Sequence, residues 1–207
     1  LMIFVAGLAV IFVSGLPKRY VLLGIAVVAA CIPIIWSQLY DYQKSRLLTF
    51  LNPEKDVLGA GWQITQSKIA LGSGGLFGKG FLQGSQSQLD YLPEKQTDFV
   101  FTLIGEEFGF IGNSAIIFVY FLIIISITGI GLKAKNRFSR LVASGLAMVI
   151  FLYVFVNIAM VTGVLPVVGA PLPLLSYGGT ALLTVFVILG ISMNLSQNSQ
   201  KEDLEIS

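Results

Sequence analysis

The sequence contains no histidine, and that absence removes whole classes of chemistry. A Ser-His-Asp or Cys-His nucleophile, an HExxH zinc site and a His proton shuttle cannot be assembled from this chain. Cysteine is nearly absent too. Cys31 stands alone in an apolar run, which excludes an internal disulfide and a CxxC redox or zinc motif, and it reads as a small core residue. Charge is also scarce: 13 Lys/Arg and 11 Asp/Glu make up 12% of 207 residues, against roughly 25% in soluble domains. The net charge of +2 is too small and too dispersed for a nucleic-acid partner. Any catalysis is left to carboxylates, hydroxyls, amines or a bound cation.

Apolar residues are abundant. They form 55% of the chain, with 15 Phe and 22 Gly, and the mean hydropathy of +0.84 belongs to a protein of the bilayer. Apolar runs fall at 1–16, 20–36, 99–131, 141–164 and 174–195, and a spanning helix needs ~20 such residues. The expected fold is all-α: a polytopic transmembrane helical bundle of about five spans, forming one integral membrane domain over residues 1–207. The chain starts on Leu within an apolar run that has no basic n-region or cleavage site. That start reads as a truncated helix and not as a signal peptide. Lys18 and Arg19 in the first turn, and Lys133, Lys135, Arg137 and Arg140 after the third run, place those connections in the cytoplasm. The segment 37–98, with six Lys/Arg against six Asp/Glu, then forms a long extracytoplasmic loop. The uncharged connection from Pro166 to Pro171 lies on the same side.

That loop has internal order. Residues 61–72, GWQITQSKIALG, read as a short interfacial helix with Trp62 at headgroup level. GSGGLFGKG follows, but it is no phosphate loop: Ser73 stands where a Walker A motif needs its first Gly, and Gly80 where it needs Ser or Thr. Gly74, Gly75 and Gly78 instead suit a close backbone approach to a ligand or another segment, with Lys79 as the one cation. Asp98, at the junction with the third run, reads either as a helix N-cap or as a carboxylate directed into a cavity. Glu106 and Glu107 are expensive inside an apolar helix and imply a cavity or a partner, while Gly105 and Gly109 form a GxxxG for close helix packing. Arg46 is a cation on the outer side, read as ligand-bound or snorkelling. PVVGAPLPLLSYGG, with Pro166, Pro171, Pro173, Gly178 and Gly179, breaks helix at membrane depth and is expected to line the cavity that holds Asp98.

Three ordered stretches resemble the SEDS (shape, elongation, division and sporulation) family. They are GAGWQITQSKIALGSGGLFGKG from Gly59, QSQLDYLPEKQTDFVFTLIGEEFGFIG from Gln86, and NIAMVTGVLPVVGAPLPLLSYGG from Asn157. The likeness covers Tyr42 to Asn194, and QSQLDYLPE resembles the elongation branch (RodA-like) more than the division branch (FtsW-like). With about five spans where that family has roughly ten, the chain resembles its C-terminal half. One departure is Gln96, where many members carry His, which fits positioning better than proton transfer. The resemblance implies a peptidoglycan glycosyltransferase of the bacterial cytoplasmic membrane that polymerises lipid II. Asp98 matches the family's essential loop aspartate, and a class B penicillin-binding protein is the implied partner, alongside membrane lipids.

That substrate has an α-linked pyrophosphate and that product a β-1,4 linkage, so one inverting displacement with Asp98 as base would suffice. Arg46, Lys68 or Lys79 would stabilise the leaving pyrophosphate, with Mg²⁺ or another divalent cation as a further source of charge. Glu94, Thr97 and Ser176 are the polar candidates for substrate contact, and Glu107 joins the Gly and Pro residues of the cavity. Two alternatives stay open: a lipid II flippase or transporter built on the broken helix, and a non-catalytic scaffold for the penicillin-binding protein.

Overall fold

The computed structural model describes residues 2–15, 18–38, 40, 43–44, 59–84 and 96–204. Its helices follow in the order α1 (Met2–Val13), α2 (Lys18–Gln38), α3 (Ala60–Gly74), α4 (Val100–Lys133), α5 (Arg137–Val161) and α6 (Gly179–Leu204). Among the described residues α4, α5 and the Gly179–Gln197 part of α6 are long and apolar enough to cross a bilayer. The other two apolar runs are helical as well. α1, with 12 residues, is only about 18 Å long, and α2 carries Pro33 inside its 21 residues.

α4 and α5 pair as a tight hairpin. Asn136 caps α5 by accepting from the Phe138 N–H at 3.0 Å, and the short link before it leaves antiparallel packing as the available geometry. Tyr120 and Ile127 from α4, Ala147, Ile150 and Val154 from α5, and Ile188 from α6 meet in the buried core. Gly145 of α5 leaves room for Val10 of α1.

The sequence predicts a single long span over 99–131, and the structure corrects this. Gly109 has φ +69 and ψ −162, which interrupts α4. Tyr120 hydroxyl donates to the Pro173 carbonyl, and Ser176 hydroxyl donates to the Thr97 carbonyl. Thr97 and Tyr120 would stand about 35 Å apart along a straight helix, yet their partners lie within a four-residue stretch that spans at most ~12 Å. Gly109 therefore folds α4 back on itself. A short arm, 100–108, precedes the bend. The long arm, 110–133, is about 36 Å long and forms the span.

A bend of this kind strands helix carbonyls before it and N–H groups after it, and the Gly-rich run satisfies both. Lys79 and Gly80 N–H groups donate to the Glu106 and Glu107 carbonyls at 3.0 Å each, while Phe110 and Ile111 N–H groups donate to Gly75 and Leu76 carbonyls at 2.9 and 3.2 Å. Only glycine permits this approach at Gly74 and Gly78, as at Gly109 itself. A Cβ on Gly74 would collide with the Gly105 carbonyl, and one on Gly78, at φ +81, with the Glu107 carbonyl. The Gly105/Gly109 pair, read from sequence as a helix-packing motif, thus serves the bend and its plug. We expect Gly74→Ala to cost about 1–3 kcal/mol by overpacking, read as a lower unfolding midpoint of the purified protein with its helix content retained.

α3 lies along the short arm and is pinned by buried hydroxyls. Ser67, fully buried, donates to the Val161 carbonyl at 2.8 Å, leaving Thr102 as the donor of the 2.7 Å bond between the two hydroxyls. The loop helix expected over 61–72 is therefore formed, and it fastens the start of α4 to the end of α5.

Candidate active site

Residues 162–178, between α5 and α6, are not helical, as the prolines and glycines of 166–179 require. They fold against the strip 96–98. Tyr177 N–H donates to the Gln96 carbonyl at 2.9 Å. Ser176 hydroxyl donates to the Thr97 carbonyl and accepts from the Leu172 N–H at 2.6 Å. Asn157 amide donates to the Asp98 carbonyl at 2.8 Å and to the Ala170 carbonyl at 2.6 Å. Three successive carbonyls are thereby held, and the half-buried Asp98 carboxylate is directed beside Gly169. A Cβ there, at φ +71, would come within 3.3 Å of Asp98 Oδ2.

The N-cap expected at Asp98 falls instead on Phe99, which provides no side-chain cap. Asp98 stands one residue before it, at the seam between two irregular segments. An open hollow of about 610 Å³ lies on one side of the seam, lined by Gln96, Leu103, Ser176, Tyr177, Gly178 and Gly179 among others. A second, of about 410 Å³, is lined by Tyr153, Pro166, Val168, Gly169 and Pro171 among others. Pro173 is buried and tied to Tyr120.

The expected cations are placed unequally. Lys79 Nζ stands 2.7 Å from Glu106 Oε1, and that carboxylate is fully buried, so the Lys79 charge is matched within the fold. Lys68 is exposed on α3, and its side chain lies over Gly163 at the start of the 162–178 segment. Glu107 contributes its carbonyl to the plugged bend and is half-buried. Arg46 and Glu94 lie outside the described residues. Among those described, no group of three or more Asp, Glu or Cys residues is placed to hold a metal ion.

The family model described as cell cycle protein, FtsW/RodA/SpoVE, matches residues 1–201. The chain belongs to the FtsW/RodA/SpoVE family. It is 50% identical over 196 residues to the peptidoglycan glycosyltransferase MrdB of Escherichia coli (strain K12), covering 94% of this chain and 53% of that protein. Stage V sporulation protein E of Bacillus subtilis (strain 168) is 39% identical over 199 residues, covering 96% and 52%. A solved structure described as the structural coordination of polymerization and crosslinking by a peptidoglycan synthase complex superposes with a TM-score of 0.74 at 30% identity, covering 94% and 53%. The chain spans about half the length of the curated relatives it matches.

In this member of the FtsW/RodA/SpoVE family, the seam lies far from the basic turn. Asn157, which holds the Asp98 carbonyl, lies 20 residues along α5 from Arg137. That is about 30 Å, the thickness of the hydrocarbon core. The basic turn of Lys133, Lys135, Arg137 and Arg140 and the Asp98 strip thus stand at opposite ends of the α4–α5 hairpin. Asn157 and Tyr120 are the site residues that the sequence reading missed. The available signal for Asn157 was its being the sole side-chain amide in the apolar 25-residue α5.

Proposed function

We propose that this chain supplies the glycan-polymerising site of a peptidoglycan glycosyltransferase of the bacterial cytoplasmic membrane, acting on lipid II during cell-wall elongation. The observation that carries the reading is Asp98, half-buried at the seam with its backbone fixed by Asn157. Support comes also from the names of the relatives and from the complex that shares the fold.

In this reading Asp98 takes the proton from the attacking sugar hydroxyl as that oxygen displaces undecaprenyl pyrophosphate. The anomeric centre inverts in one step and no covalent glycosyl-enzyme forms. Within this chain, which has no imidazole, the base we assign is a carboxylate. Lys68 and Arg46 are the cations assigned to the leaving pyrophosphate. Lys79 joins them only if it leaves Glu106, and Glu94 and Thr97 are assigned to the sugar and its peptide, whereas the buried Ser176 hydroxyl, bonded to the Thr97 carbonyl and the Leu172 N–H, is turned into the fold. The two hollows beside the seam, with Pro166, Pro171, Gly178 and Gly179 in their walls, are assigned to the lipid-linked substrate. Mg²⁺ or another divalent cation would add positive charge at the pyrophosphate. A class B penicillin-binding protein is the proposed partner for crosslinking.

Reconstituting the full-length protein in vesicles with lipid II and a transpeptidase-dead partner tests the reading. Glycan strands are the expected product. Lipid II translocation without glycan would make the protein a flippase, and neither product would leave a scaffold.

A further inference from the structure

Asn157 bridges the two irregular segments of the seam. It lies in the last turns of α5 with no solvent exposure. From one nitrogen it donates to two carbonyls in two different irregular segments: Asp98 at 2.8 Å and Ala170 at 2.6 Å. A primary amide is the side chain suited to that task, because it offers two N–H groups at a single atom. A hydroxyl offers one and an ionised carboxylate none. The amide is held there with its own Oδ1 buried and without a hydrogen-bond partner among the described residues.

Ala170 follows Gly169, whose Cα faces Asp98 Oδ2. Asn157 therefore joins the backbone of Asp98 to the wall that its carboxylate faces. Ser176 does the same one residue away, between Thr97 and Leu172.

We infer that Asn157 is a positioning residue for Asp98: with Ser176 it sets the distance and direction of the carboxylate relative to the 162–178 wall. This rests on the reading of Asp98 as the base. A base displaced by about 1 Å loses on the order of 10² in rate, while substrate contacts elsewhere persist.

The test uses the full-length protein with Asn157→Leu, which keeps volume but no donors, and Ser176→Ala, which removes one oxygen. Amide hydrogen exchange over residues 96–101 is read together with steady-state kinetics on lipid II. Exchange in that strip should quicken at least about tenfold, with 62–74 unchanged, and kcat should fall on the order of 10² at a KM close to wild type. Unchanged exchange over 96–101 overturns the inference, as does quickened exchange at wild-type kcat. If Asn157→Leu does not fold, Ser176→Ala carries both readings. If Asp98→Asn itself keeps full activity, the base reading fails, and the exchange result alone decides whether Asn157 holds the strip.

Discussion

Replacing Lys79 by methionine should be among the most destabilising single changes in the described part of this chain, costing about 3–5 kcal/mol. The substitution keeps the aliphatic stem but takes the ammonium from Glu106, a carboxylate with 0% exposure, 2.7 Å away. The reverse change is milder. Glu106→Gln keeps an acceptor for Lys79, whose side chain is 29% exposed and can turn its charge to solvent. The double variant Lys79→Met, Glu106→Gln should recover most of the loss, because removing both charges leaves no buried ion. Unfolding midpoints of the four proteins in one detergent check the ranking. Equal stability of Lys79→Met and wild type would show that the pair does not close the α4 bend.

Asp98→Asn should lower kcat by about 10²–10⁴, the range lost when a positioned base is removed, and leave lipid II affinity near wild type. The amide has the shape of the carboxylate but cannot accept the proton. The hydrogen bonds from Asn157 and Ser176 go to the Asp98 and Thr97 carbonyls, which the substitution keeps. The strip 96–98 should therefore stay docked on the 162–178 segment in the variant. Parallel lipid II titration and turnover measurements distinguish this from a binding defect, which would raise KM and spare kcat.

The sequence displayed much of this architecture because its signals were local. Long apolar runs place α4, α5 and α6, four basic residues mark one turn, and the prolines from Pro166 to Pro173 forbid helix there. The helix Ala60–Gly74 is likewise visible as a mixed polar and apolar stretch. The fold-back at Gly109 was not legible. A glycine four residues after another in an apolar helix reads equally well as a packing face, and what decides is a partner some 30 residues earlier in the chain: Gly75 to Gly80 entering the break. For the same reason Lys79 read as a loop cation open to a ligand until Glu106 was placed beside it.

From its position alone Asp98 reads either as a cap or as a site carboxylate, and it is the resemblance that singles out the carboxylate. The helix starts at Val100 with Phe99 at its cap, so Asp98 is not the capping residue. Asn157 was hidden by its surroundings: its partners come from residues 98 and 170, which sequence spacing does not bring together.

The most direct measurement is the initial rate of glycan formation from purified lipid II by the full-length protein in vesicles, wild type against Asp98→Asn, with lipid II binding measured on the same preparations. The account predicts strands from the wild type, equal binding by both, and a rate for Asp98→Asn lower by at least about 10². Glycan from Asp98→Asn at a rate close to wild type would contradict it.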